Sequence, residues 1–424
     1  MSKTNVMIIG GGAAGLTSAI AAARSGASVT VLEAKPRVGS KILATGNGRC
    51  NLTNKKITSA AYNDPHFVSP ILSTYTPEEI LSFFEGLGLL TYSDEEGRVY
   101  PLSNNASSVL DVLRLACECL NVETICDFQV EKISQQLGLK GFVAHSTAGE
   151  QHAADAVIVA PGGGKTFLSG LGHHSRANEP VLAPIRTDTG PIRGLSGIRV
   201  RCEASIFDAS GRNNKTVQNG ISDAANDDNL RPVATQRGEI LFRDYGVSGI
   251  MVFDLSRYLG EQQILSIDFM PDVNLEELTQ KLCARCNEFS TRTAETFLTG
   301  MFHARVSTAL LRAAHINSKT PALEIPCDKL ARIIKNFELP VTGAGDSKQA
   351  QVMRGGISTK EFDPQTLESR LVSGLFAAGE VLDVDGRCGG FNLHWAWSSG
   401  LVAGENAAQC ASKNGAPKGG NERD

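Results

Sequence analysis

The chain has 424 residues, 42% of them hydrophobic and 20% charged, with a formal net charge of −4. That length accommodates two or three domains, and the composition is that of an ordinary soluble globular protein. The small negative charge gives no general attraction to nucleic acid or to an anionic membrane, and no apolar run approaches a membrane span, so neither partner is expected.

Val6 to Ile9 is a short apolar run that leads into Gly10-Gly11-Gly12-Ala13-Ala14-Gly15. A small-residue stretch, Leu16 to Arg24, follows, and then Val29 to Leu32 ending at Glu33. Strand, glycine turn, helix, strand and acid make a dinucleotide-binding unit. Gly10 permits the tight turn, Gly12 lets backbone approach a diphosphate, and Gly15 lets helix and strand pack closely. The helix start presents N–H groups and a positive dipole to phosphates. Glu33 stands where a ribose hydroxyl is expected, and its charge disfavours a 2′-phosphate, so FAD or NAD is expected over NADP. The strand begins at once with no signal-like segment ahead of it, so the cytoplasm is the expected location.

Residues 34–53 carry basic residues, glycines and short polar side chains without a helix or strand period, which suits a loop in close contact with a ligand. Helices are expected over 77–87 and 107–120, and strands over 95–101, 123–130, 141–145 and 156–160. The last of these, Ala156 to Ala160, is all apolar and runs into Pro161-Gly162-Gly163, as a central parallel strand does at a ligand edge. From about residue 185 the pattern turns β-rich, with strands expected over 198–207, 239–242 and 264–270 and a polar excursion over 210–236. Residues 275–311 and 327–337 read as helical, 352–358 and 375–380 as strands, and 393–410 as a helix followed by a polar tail.

The 10 cysteines show no framework spacing and read as free thiols. Cys283 and Cys286 have the familiar C-x-x-C spacing but lie inside an expected helix, where packing is the favoured reading over redox or metal chemistry. No metal ligands are expected.

Long motifs carry a resemblance. Gly46-Asn47-Gly48-Arg49-Cys50-Asn51-Leu52-Thr53, Gly379 to Gly386 and Gly389 to Gly400 are similar to segments of the BaiN-like (aminoacetone-oxidase-like) NAD(P)/FAD-dependent oxidoreductases. Gly238 to Phe242, Tyr245 to Gly249 and Gly355 to Ser358 resemble that family's middle and return segments. The resemblance implies an α/β protein in three parts. A Rossmann-like FAD-binding domain would be built from both chain ends (1–184 and 355–412). A β-barrel-like domain would be inserted in it (185–273 and 338–354), with a helical domain nested inside that (274–337) and a disordered tail (413–424).

The resemblance further implies FAD as cofactor and NAD(P)H as a transient electron donor, since only one dinucleotide fingerprint is present. By position, Gly10, Gly12, Ala13, Ala14 and Gly15 would hold the diphosphate. Glu33, Ala34 and Lys35 would meet the adenosine ribose. Lys41, Ile42, Thr45, Gly46, Asn47, Gly48, Arg49, Cys50 and Asn51 would line the flavin. Val130, Ala160, Pro161 and Gly162 would flank adenine and ribose. Gly379, Glu380 and Asp383 would approach the ribityl chain and phosphate, and Gly389, Gly390, Phe391, Asn392 and Leu393 the ring.

The family commonly has threonine where this chain has Arg387-Cys388, and glutamine at His394. His394, Tyr245 and Cys388 are the candidate proton donors. The expected activity is reduction of an activated C=C bond, such as that of a 3-oxo bile-acid or steroid-like enone, in a small-molecule substrate. The alternatives are an FAD oxidase of a small amine, a flavin-bound redox sensor without turnover, and a plain NAD dehydrogenase. Oligomeric state is not legible.

Overall fold

The computed structural model describes residues 3–135, 141–163, 168–209, 231–345 and 349–414. The chain folds as two compact units, Met1–Glu179 with Val352–Asp424, and Pro180–Gln351.

The first unit is centred on a five-stranded parallel sheet in the order Leu375–Ala377, Ala156–Val159, Asn5–Ile9, Ser28–Leu32, Glu123–Ile125. Ala156–Val159 is buried along its whole length, as its unbroken apolar sequence requires for a strand covered on both faces. The back end of the chain therefore contributes a strand to the sheet that the front end begins. It also contributes a helix. Phe391–Asn414 packs on the front helix Ala13–Arg24 through glycines. A Cβ on Gly400 would lie 2.1 Å from the Thr17 hydroxyl and 2.5 Å from the Ala14 carbonyl. One on Gly404 would lie 2.4 Å from the Ser18 carbonyl. Small residues on both helices let the two backbones close together and join the ends of the chain.

Among the described residues there are also a two-stranded sheet, Ser175–Val181 with Val352–Ile357, and two three-stranded antiparallel sheets. Thr53–Asn54, Arg98–Pro101 and Thr91–Ser93 form one; Val130–Gln135, Phe142–Ser146 and Gln151–Ala154 form the other. The expected strand over 123–130 is thus two strands in two sheets, turning at Asp127, a left-handed residue at φ 58°. Helix Pro65–Thr74 was not expected. It begins at an Asp64 side chain that accepts from the Phe67 N–H, and it carries Pro70 internally.

In the second unit six strands close an antiparallel barrel in the order Ile185–Thr187, Gly246–Ser248, Ala234–Arg243, Arg199–Asp208, Gln263–Asp268, Phe337–Ala344. The strand from Ala234 starts inside the expected 210–236 excursion; residues 210–230 lie outside the described residues. The expected 275–311 helix is three helices, Leu275–Glu288, Ala294–Phe297 and Ala304–Ala313. Thr293 breaks the run by adopting extended backbone and bridging Pro321. Leu278, Leu282, Leu310, Leu330 and Ile334 of the helical stretch share one buried cluster with Ile240, Phe242, Leu265 and Ile267 of the barrel. Barrel and helices therefore form a single core, where the sequence divides them at residues 273 and 337. Among the described residues no helix is long and apolar enough to cross a membrane. The terminal helix continues to Asn414, and residues 415–424 of the expected tail lie outside the described residues.

Candidate functional site

The front turn shows why each glycine is there. Gly10 has φ 101°, and a Cβ on it would sit 2.5 Å from the Ala160 carbonyl. One on Gly15 would fall 1.8 Å from the Gly10 carbonyl. Both positions are closed by the protein itself. Gly12 differs, because a Cβ there would meet nothing within 4 Å. The helix that follows starts at Ala13 with no side-chain cap and no acid in its first turn. Its N–H groups and positive end thus border open space, which is the condition for binding an anion. At the end of the second strand, Glu33 accepts hydrogen bonds from the Gly11 N–H at 2.7 Å and the Lys35 N–H at 2.9 Å. Ala34 and Lys35 are exposed, while Val130 and Ala160 are buried behind the turn. Pro161 and Gly162 follow, and the nearest neighbour of a Cβ on Gly162 would be a Glu380 oxygen at 3.8 Å.

Part of the loop expected over residues 34–53 has regular structure. Ser40–Ala44 forms a short helix that buries Ile42, and Thr45–Gly48 a tight turn with Gly46 and Asn47 both at φ 56°. The Thr45 hydroxyl donates to the Ile42 carbonyl at 2.6 Å, fastening the turn to the helix. Cys50 is also left-handed at φ 58°, and burial pushes its thiol up to about 12 against the Thr45 hydroxyl. Arg49 lies over the Tyr100 ring at 4.7 Å. Asn51 is buried, and its side-chain oxygen has no hydrogen-bond partner among the described residues. Gly48 faces open space.

The back-end loop is held by many side chains. Glu380 pairs with Lys41 and accepts from the Met353 N–H at 2.8 Å, so it joins the front loop to the return strand. Gly379 approaches the front helix so closely that a Cβ would lie 2.9 Å from that of Ala14. The Gly379 carbonyl accepts from the Trp395 indole at 3.2 Å. Asp383 accepts from the Gly355 N–H at 3.1 Å, and fully buried Asp385 receives both a 2.9 Å and a 3.1 Å bond from Arg354. Asn392 spans the turn, accepting from the Gly386 N–H and donating to the Gly386 carbonyl. The Tyr62 hydroxyl donates to the Phe391 carbonyl at 2.8 Å, and the Asn54 amide to the Gly389 carbonyl at 3.0 Å. A Cβ on Gly390 (φ 105°) would lie 2.5 Å from the Thr53 carbonyl and 2.9 Å from the unpartnered Asn51 oxygen. Leu393 is half-buried in the first turn of the helix.

The structure thus brings the front turn, the 40–54 loop and the back loop together. Of the three proposed proton donors it places two here. His394 is fully buried, its Nδ1 bonded to the Thr53 hydroxyl at 2.8 Å. Burial holds its imidazole down at about 4, against the Tyr75 backbone and Glu78. Cys388 is half-buried beside Gly389. Tyr245 belongs to the second unit, where its carbonyl accepts from the Thr187 N–H. Sequence reasoning gave Thr53 only as the end of a motif and missed Asn54, Tyr62 and Arg354. The strand character of 53–54 was too short to register, and the partners of Tyr62 and Arg354 lie far along the chain.

Open space at an uncapped helix start, an acid at the strand end and an orphaned buried acceptor beside a glycine loop fit a flavin dinucleotide. The protein is a Rossmann-type flavoprotein, an FAD-dependent oxidoreductase. The match to the HI0933-like protein Rossmann domain spans residues 4–406, and the chain belongs to that family. It is 35% identical to the 3-dehydro-bile acid delta(4,6)-reductase of Clostridium scindens, over 95% of this chain and 98% of that one. It is 28% identical to the ribosomal RNA dihydrouridine synthase of Haemophilus influenzae, over 93% and 96%, and 26% identical to that of Escherichia coli, over 96% and 98%. With relatives so named, a net charge of −4 does not exclude a nucleic-acid substrate.

Proposed function

We propose that this enzyme reduces a carbon–carbon double bond conjugated to a carbonyl, with NAD(P)H as the electron donor. The relatives' names support this reading through their shared chemistry. A 3-oxo steroid with Δ4 or Δ4,6 unsaturation and a uracil ring both hold a C=C bond in conjugation with C=O. The observation that carries the proposal is the Gly389-Gly390 loop resting on Thr53, with the Asn51 oxygen left unpaired beside it.

When bound, FAD supplies the hydride-accepting and hydride-donating centre. In this reading the N–H groups at the start of the Ala13–Arg24 helix hold the diphosphate, and Glu33 takes the adenosine ribose. Asn51 would offer its unpartnered oxygen to the ring, and Gly389-Gly390 would let backbone lie against it. Lys41 and Glu380 fix the 40–54 loop to the back loop. Reduction of an enone also requires a proton at the carbon next to the carbonyl. His394 is ill-suited to donate it, because burial keeps the ring neutral and its Nδ1 is engaged by Thr53. We assign His394 to positioning the helix start and keep Cys388 as the candidate donor.

The test is anaerobic. The yellow protein is mixed with NADH or NADPH, and the bleached flavin is then offered a 4-en-3-one steroid, ribosomal RNA or oxygen. Rapid bleaching followed by reoxidation with the enone is the expected result. Reoxidation by RNA but not by steroid moves the substrate to the uracil ring; the exposed Lys41, Arg49, Lys55 and Lys56 favour that second reading. Reoxidation by oxygen alone, with peroxide released on adding an amine, would overturn the reductase assignment.

A further inference from the structure

The Cys283-x-x-Cys286 motif acquires a third member in the fold. Cys327 is the first residue of helix Cys327–Lys335, and its sulfur lies 3.3 Å from that of Cys286. Cys283 lies one helical turn before Cys286 and also bears on the Cys327 thiol. Cys286 and Cys327 are buried, while Cys283 is exposed on the same helix as Cys286. Three thiols thus run from solvent into the core of the second unit, and none takes part in the chemistry above.

A disulfide bond is about 2.05 Å long, so a small rotamer change closes the Cys286–Cys327 gap. Metal binding is not the reading, because no group of acidic, His or Cys residues among the described residues could hold an ion. Burial tolerates the disulfide, since the linked sulfurs carry no charge. It also pushes the Cys327 thiol up, so reaction has to start at the exposed sulfur.

We infer that Cys283, Cys286 and Cys327 form a thiol–disulfide exchange site whose end product is a Cys286–Cys327 bond joining two helices, with a low-molecular-weight disulfide as the oxidant. Cys283 attacks the small disulfide RSSR, giving Cys283–S–S–R and one RSH that carries the Cys283 proton. Cys327 then attacks the Cys283 sulfur and releases the second RSH. Cys286, already against Cys327, displaces Cys283 and returns it to a thiol. Overall, two protein thiols are oxidised and one RSSR is reduced to two RSH.

The test uses the full-length flavoprotein with oxidised glutathione as probe, followed by alkylation and peptide mapping. The expected product is a Cys286–Cys327 crosslink with Cys283 alkylated, together with a rise of roughly 5–10 °C in the melting of the second unit. Cys283→Ser should slow the crosslink at least tenfold and leave the end product the same. Cys327→Ala should stop at glutathione on Cys283. Full alkylation of Cys286 and Cys327 after prolonged exposure of the wild type overturns the site. A crosslink forming at the wild-type rate in Cys283→Ser overturns the entry role.

Discussion

At the front turn, Gly10 and Gly15 are demanded by the protein's own backbone, while Gly12 faces open space beneath an uncapped helix. At the back loop, Gly379 and Gly390 both press on the front of the chain, and side chains stitch the loop on every side. Tyr62, Asn54, Asn392 and Arg354 each hold a different point of it. The contrast separates two tasks. A diphosphate is gripped by backbone donors and a dipole, so its cradle needs access and little else. A planar ring has to be oriented, so its loop is fixed by directional hydrogen bonds.

Substitutions can break that contrast, and the largest effect belongs to the front. Gly15→Ala drives a methyl into the Gly10 carbonyl and should cost more than ~3 kcal/mol, giving little folded protein and no retained flavin. A denaturant melt and the absorbance near 450 nm would show it. Next comes the anchor of the back helix. His394 titrates at about 4 when folded and near 6.5 when exposed. Between those values the unfolded chain binds the extra proton, so stability present above pH 6.5 is lost as the pH falls towards 4. The loss is at most about 3 kcal/mol, and His394→Gln should flatten that part of the pH–stability curve.

Gly390→Ala should follow. Its φ of 105° and the Thr53 carbonyl at 2.5 Å cost the loop about 2 kcal/mol. The flavin should stay bound, with a shifted visible spectrum that reports a displaced ring. Gly12→Ala should have the smallest effect on folding. The methyl has room, so the apoprotein should melt within about 1 kcal/mol of wild type. FAD binding should nevertheless weaken about tenfold in a calorimetric titration, because the methyl occupies the approach to the helix start.

The parts that could be read from sequence are those where one local pattern does one job. The apolar strand at Ala156, the glycine turn and the acid at Glu33 each announce themselves within a few residues, and the structure has the strand inside the sheet and the acid at the end of the second strand. The amphipathic helices at Pro77–Glu85 and Ala106–Cys119 also show plainly, because one face is apolar and the ends carry caps. What was illegible depends on distant partners. The strand Thr53–Asn54 exists only because Arg98–Pro101 pairs with it. Thr293 ends a helix because Pro321 receives it. His394 reads as a titratable helix histidine, yet Thr53 and complete burial decide its chemistry. Cys327 lies 41 residues from Cys286, a separation that no motif spacing encodes.

A crystal structure of the yellow holoprotein decides whether both ends of the chain hold one FAD. The FAD diphosphate should lie within hydrogen-bond distance of the N–H groups that follow Gly12, and the isoalloxazine against Gly389-Gly390 with Asn51 beneath it. A diphosphate bound away from Gly12, or a ring that leaves Asn51 and Gly390 untouched, would contradict that placement.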